Sequence, residues 1–357
     1  LRDPSGKEEV LASDVSTDVF RYPSPSPDGR RLAYIASDDR GYALYSIDLA
    51  GGDRRELYRS QTEPPLYMIW SPDSRYIAFL VNLRTGSLAA HLVVSDGSHP
   101  SELIAPGNPS YFAWAPDSSA LFLHIGGSVF EGGSLLLYRP GGAPTPLFDD
   151  PGLFFRTPSW SADGKRLFYV AQKSVSGRPT IEDVESVITS ATPDGSSVKA
   201  LVRQPKAALF FARSPKNDNI AYIKITPGGD ARLEIFDAAL GKTSQLSDGR
   251  QKVAGFFWSP DGNSIAYLTL SPGGDDLIWN IVNLVSGELR ELASFEPSDS
   301  FYGLLNFFDA YALTLSLWSS DGTRLTYATT DGVYVLDVAT GTTTRAVDGT
   351  LGIWLQK

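Results

Sequence analysis

Trp258-Ser259-Pro260-Asp261-Gly262, continued by Asn263-Ser264-Ile265-Ala266-Tyr267-Leu268, is the stretch from which the rest of the chain can be read. Edited copies recur along the sequence, and a repeat has to be recognised before any single element is assigned. With the Asp of the motif as reference, copies fall at Asp28, Asp73, Asp117, Asp163, Lys216, Asp261 and Asp321, at intervals of 45, 44, 46, 53, 45 and 60 residues. Three positions before the reference stands Trp70, Trp114, Trp160, Trp258 or Trp318, with Pro25 and Arg213 as departures. Two before it stands Ser in every copy except Ala115.

The residues after the reference give the secondary structure. Position +4 is Leu32, Ile77, Leu121, Leu167, Ile220, Ile265 or Leu325, and position +6 is Tyr34, Phe79, Leu123, Tyr169, Tyr222, Tyr267 or Tyr327. A period of two places both on one face of a strand. Ser-Pro-Asp-Gly between two such apolar runs reads as a tight turn, because Pro presets φ, Asp caps nearby backbone and Gly allows positive φ. A third strand then runs into a second turn, Asp237-Ala238-Ala239-Leu240-Gly241 or Asp337-Val338-Ala339-Thr340-Gly341, and a more polar fourth strand follows. Four strands in about 45 residues, repeated seven times, predict an all-β, seven-bladed β-propeller of four-stranded antiparallel blades. A repeat array of this kind is expected to form one domain over residues 1–357.

The run W-S-P-D-G-x-x-I-A-Y, followed by a strand ending in D-x-x-(x)-G, resembles the WD40-like (PD40) repeat of bacterial TolB-type β-propellers. It is also similar to the propeller domains of prolyl-oligopeptidase-type peptidases. The resemblance covers residues 15–350 or so and implies the fold; propellers host many unrelated roles, so it implies little about chemistry. It does imply an extracytoplasmic bacterial location, periplasmic or at the cell surface, and an initial Leu1 fits removal of a signal or anchor segment.

Composition narrows the function classes. A formal net charge of −10, with 31 Lys and Arg against 41 Asp and Glu, argues against nucleic acid, whose binding depends on neutralising phosphates. There is no Cys, hence no disulfide or thiolate metal site. No apolar run reaches the 18 residues or so of a membrane span. The three His, at 91, 99 and 124, lack metal-ligand spacing. No G-x-S-x-G elbow is present, which argues against a hydrolase nucleophile. The acidic pairs Asp38-Asp39, Asp149-Asp150 and Asp275-Asp276 offer oxygen ligands of the kind Ca²⁺ takes but match no EF-hand spacing, and read as solvated loop charge. No cofactor is expected.

The motif carboxylates and the Trp series recur in blade after blade, which marks them as turn and core positions. Function is expected where the repeat is interrupted. The fourth copy gains about ten residues over 174–184, between its second and third strands, and about fifteen more precede the seventh copy, over 295–311. In a propeller both kinds of link emerge on one face, joined there by the Gly-rich links at 227–230 and 272–276. The candidate partner-binding residues are therefore Arg178 and Asp183, Asp275 and Asp276, and the aromatic run Phe301, Tyr302, Phe307 and Phe308. That run reads either as an exposed patch or as an elongated inner strand.

Two terminal segments complete the reading. Residues 8–12 are expected to add an outer strand to the last blade, although residues 343–347 supply one already. Leu351-Gly352-Ile353-Trp354-Leu355 is then left over, as an edge strand or an assembly element, with Trp354 as its interface candidate. The expected function is a noncatalytic extracytoplasmic scaffold that binds a protein or a second copy of itself. The alternatives are a carbohydrate-binding or glycan-processing propeller, with a glycan as partner, and the propeller domain of a larger prolyl-oligopeptidase-like peptidase.

Overall fold

The computed structural model describes residues 2, 6–16, 20–50, 52–108, 110–128, 131–149, 156–174, 180–274 and 276–355. It is a seven-bladed β-propeller of antiparallel sheets. Six sheets have four strands in consecutive order; the seventh has Arg324–Thr329, Gly332–Asp337 and Thr343–Val347, with an inner contact supplied by a bridge from Trp318 to Leu325. Where the sequence reads as one domain, the contacts group into two compact units. One reaches as far as Ser110 and holds blades 1 and 2; the other, Tyr111–Leu355, holds blades 3 to 7.

The turn chemistry is the same in both units. In five copies the motif Ser donates its hydroxyl to the motif Asp at 2.6–2.7 Å, as from Ser259 to Asp261. The same carboxylate oxygen accepts the amide two residues on, 3.0 Å from Asn263, and the Ser Oγ accepts the amide of Ser264 at 2.9 Å. In the third copy, where Ala115 replaces Ser, the Ser119 hydroxyl donates to Asp117 at 2.6 Å instead. In the fifth copy Asn217, one residue after Lys216, accepts the Asn219 amide at 2.9 Å. The turn therefore needs an acceptor, which need not be a carboxylate at the motif position.

Blade stacking follows from the period-two strands. Ile77 and Phe79 of blade 2 pack with Ile35, Leu44 and Leu57 of blade 1; Leu167 and Tyr169 of blade 4 pack with Phe122, Leu135 and Leu137 of blade 3. In blades 2, 4 and 5 positions +4 and +6 thus face the preceding blade, and side chains such as Tyr222 and Phe79 are fully buried there. Each such side chain contributes roughly 1.5–3 kcal/mol by leaving water. The motif Trp adds a stitch to this packing. Trp70 Nε1 donates to Ser24 O of the preceding inner strand at 2.9 Å, and Trp160, Trp258 and Trp318 donate to Ala113, Ala212 and Phe257 at 3.0–3.1 Å.

Both terminal segments depart from expectation. Residues 8–12 form no strand of the last blade. Leu11, Ala12 and Val15 pack instead on Tyr34, Ala36, Ala43, Tyr45 and Ile47, the face of blade 1 turned away from blade 2. Val15 bridges Ala36, and the Ser16 amide donates to Ile35 O at 2.8 Å. The apolar face of blade 1 takes these residues, while blade 7 uses Thr343–Val347 as its own outer strand. Residues 351–355 have no regular secondary structure and lie against blade 7, where the Trp354 amide donates to Ser316 O at 2.8 Å.

Candidate functional site: a helical plug on the inner strands

The long link before the seventh copy is neither a strand nor an open loop. It forms two short helices, α1 (Asp299–Leu305) and α2 (Phe308–Tyr311). Ser298 starts α1: its extended backbone leaves its hydroxyl to accept the Phe301 amide at 3.1 Å, and Asp299 puts a negative charge in the first turn. Phe301, Leu304 and Leu305 follow at i, i+3 and i+4 as one apolar stripe of α1, Phe308 opens α2, and all four are buried.

The insertion is pressed onto the inner strands of blades 3, 5 and 6 and, at Phe301, onto the third and fourth strands of blade 6. Phe308 packs on Phe210 of blade 5 and Phe256 of blade 6, with ring centroids 5.9 and 5.1 Å apart. Phe307 lies 6.4 Å from Tyr111 of blade 3, and Phe301 sits edge-on to Trp279 and Phe295 at 6.3 and 5.6 Å. Gly255 makes the approach possible, since a Cβ there would lie 3.2 Å from Leu305 Cδ2 and 3.4 Å from Phe308. The insertion is therefore a plug, with its aromatic side chains as the cement.

Beneath the plug lies a group of ionisable side chains from blades 3 and 4 and from α2. Asp309, 4% exposed, accepts the Thr157 amide on Oδ2 at 3.1 Å. Arg156 stacks its guanidinium 3.4 Å above the Phe210 ring and donates from Nε to Leu209 O at 2.7 Å. Its carbonyl meets His124 Nδ1 at 3.2 Å; a carbonyl only accepts, so Nδ1 carries the proton. Burial pushes the Asp309 carboxyl up, against the pull of Arg156 and of the Thr157 amide. Burial likewise lowers the Arg156 guanidinium against the opposing charge of Asp309, and lowers His124 to about 4, which keeps it neutral near pH 7. Burial and the Asp309 charge push the Tyr111 hydroxyl up. The Thr157 amide ties the plug to its floor through Asp309, and Arg156 and Asp309 each offset part of the other's cost of burial.

The sequence candidates fall in different places. Of the aromatic run, Phe301 and Phe308 are buried, Phe307 is half-buried and only Tyr302, 50% exposed, faces solvent. Asp183 accepts the Thr180 hydroxyl and amide at 2.9 and 3.1 Å, closing a single 3-10 turn at Ile181–Asp183. Asp276 is half-buried, and its backbone closes the turn with Ser271. Trp354 lies 4.9 Å beneath the Arg324 guanidinium, on blade 7. Arg178 and Asp275 lie outside the described residues. Among the described residues no group of three or more His, Cys, Asp or Glu is gathered as a metal would need. The sequence reading missed Arg156, Asp309 and Thr157, none of which belongs to a motif; the helical spacing of 301, 304, 305 and 308 was the one signal available.

No model of a known protein family matches the chain. Among curated proteins it is similar to uncharacterized protein Atu1656 of Agrobacterium fabrum (strain C58 / ATCC 33970), at 30% identity over 41% of this chain and 52% of that protein, so the chain spans about half the length of the relative it matches. Among solved structures it is similar to a prolyl endopeptidase (TM-score 0.64, 16% identity, 94% of this chain and 50% of that one). It is also similar to an oligogalacturonate lyase in complex with manganese (0.59, 14%, 92% and 86%) and to TolB from Acinetobacter baumannii (0.50, 17%, 87% and 77%). At these identities the likeness shows the propeller fold, shared by enzymes and by TolB.

Proposed function

We propose that this chain is a noncatalytic, extracytoplasmic β-propeller that binds a protein partner, or a second copy of itself, through the face that carries the plug. The observation that supports this reading is the use made of the largest insertion. Its aromatic side chains are spent on blades 3, 5 and 6, with Phe307 and Phe308 on inner strands where a propeller would otherwise offer a concave site for a small ligand. Its outward large apolar side chains are Tyr302 and Leu313, 50% and 42% exposed, beside the exposed Asp299 and Asn306, an amphipathic surface suited to a macromolecule. The ionisable groups it covers are held by one another and by backbone, an arrangement that fits anchoring better than proton transfer to a substrate. The resemblance to TolB-type repeats supports an extracytoplasmic location. No helix among the described residues is long and apolar enough to cross a membrane.

A photo-crosslinking residue at Tyr302 or Leu313, introduced in the native host, tests the reading. The expected result is a discrete protein adduct at one or both positions and none from a control at Lys242 on the outer strand of blade 5. A second reading, a glycan-processing propeller, draws on the oligogalacturonate lyase structure, which this chain matches over most of both lengths. Turnover of oligogalacturonate with manganese added, together with no adduct at 302 or 313, would overturn the first reading in favour of the second.

A further inference from the structure

Residues 350–355 are fastened at three places, and two of them bear on the plug or on the chain that leads out of it. The Ser298 hydroxyl, which caps α1 by accepting the Phe301 amide, donates its own proton to Thr350 O at 2.6 Å. The Ser300 hydroxyl donates to Thr350 Oγ1 at 3.2 Å. The Trp354 amide donates to Ser316 O, in the short segment that joins the plug to Trp318. Between these points Gly352 lies flat on blade 7, so close that a Cβ would come within 2.6 Å of Thr326 Oγ1 and closer still to Val333. The tail thus grips the insertion where it enters its first helix and where it leaves for blade 7.

We infer that residues 350–355 are a releasable strap that holds the plug on the inner strands, so that lifting the tail frees α1 and α2 while the blades stay folded. Two features make it releasable. The tail contributes no strand to any sheet, so its departure breaks no ladder. The docked tail also buries the Trp354 indole N–H with no acceptor among the described residues, which weakens the docked state against one in water. The plug itself is suited to leaving as a unit. It has two short helices, too short to persist alone, and its cap depends on a serine that the tail also holds. Freed, it would uncover Phe210, Phe256 and the Arg156 guanidinium.

Gly352→Val tests the strap, because the added branch cannot fit over Val333 and Thr326 yet changes neither charge nor length. Limited chymotrypsin digestion is followed by mass spectrometry at Phe301, Tyr302, Phe307, Phe308 and Tyr311, with Phe79 and Tyr222 in the blade cores as references. The expected result is faster cutting at the plug sites, on the order of tenfold, with the references unchanged, as for a sub-global opening. Release of the segment, read as faster hydrogen exchange of the Trp354 amide that donates to Ser316 O, with plug cutting as in wild type would overturn the proposal. If Gly352→Val loosens the whole chain, Trp354→Ala carries the same comparison without a clash. Cutting that rises equally at plug and reference sites in both variants would also overturn it, since the tail would then be a general staple.

Discussion

Asp321 and Asp309 lie twelve residues apart in sequence and are pushed in opposite directions. Asp321, at a motif turn, is held at about 2 by the hydroxyl of Ser319 and by the amide and hydroxyl of Thr323, all local donors. Asp309, in the plug, is raised by burial and has its counter-charge on a distant blade. The first arrangement is written into five residues and repeats wherever they do. The second exists once and depends on packing between segments about 150 residues apart. The turn region therefore tolerates edits, as Lys216 demonstrates, whereas the plug is made of single-copy contacts that have no substitute.

The contrast can be broken most forcefully at the plug. Phe308→Ala would empty a fully enclosed site between Phe210 and Phe256 and is expected to cost about 3–5 kcal/mol in urea unfolding; a loss below about 1 kcal/mol would mean the plug is not packed core. Arg156→Met leaves the buried Asp309 without the cation that offsets its burial, with an expected cost of about 3 kcal/mol. Combining it with Asp309→Asn, which keeps an acceptor for the Thr157 amide and removes the stranded charge, should recover more than half of that loss in a double-mutant cycle. If the two substitutions add, the charges do not form a pair.

At the turns the effects are smaller. Gly262 has φ +71°, and a Cβ there would lie 2.9 Å from Ser214 Oγ, so Gly262→Ala is expected to cost about 1–2 kcal/mol by thermal unfolding. Gly274→Ala, with φ +84° but open space around it, should cost less, and equal costs would remove the clash from the explanation. The smallest effect separates the carboxylates by pH. The folded-state pKa of Asp321 is depressed, so its stabilisation is complete above its unfolded value near 4 and disappears as pH falls towards 2. Asp321→Asn should lower Tm at pH 7 and match wild type near pH 2. For Asp309 the shift is upward, so the sign reverses: its charge opposes folding most at neutral pH, and the penalty is relieved as pH falls.

How far the sequence could be read follows the same division. The turns, the face of each +4 and +6 residue and the number of blades rest on local patterns repeated seven times, and the structure has them. The Trp series was legible as core, though not as the donor to the preceding blade, because the acceptor carbonyl lies about 46 residues away. The plug was misread for a physical reason. In a chain of strands, Phe301-Tyr302 and Phe307-Phe308 resemble the aromatic pairs that enter other inner strands, and only the spacing of 301, 304, 305 and 308 favours a helix. Arg156 and Asp309 carried no signal at all, since nothing local distinguishes a buried ionic tie from two loop charges. The two terminal segments were apolar enough to be noticed, but which sheet each would cover depends on faces that exist only after the blades form.

Native-state hydrogen exchange of the wild-type chain is the most direct test of the central claim, that the insertion over residues 296–315 is part of the folded core. The account predicts that the amides of Phe301, Leu305 and Tyr311 exchange far more slowly than loop amides such as Gly228, through openings that leave the strand Ser264–Leu270 protected. Exchange at those three amides as fast as at Gly228 would contradict it, and would return the aromatic run to the exposed patch that was one of its two readings in the sequence.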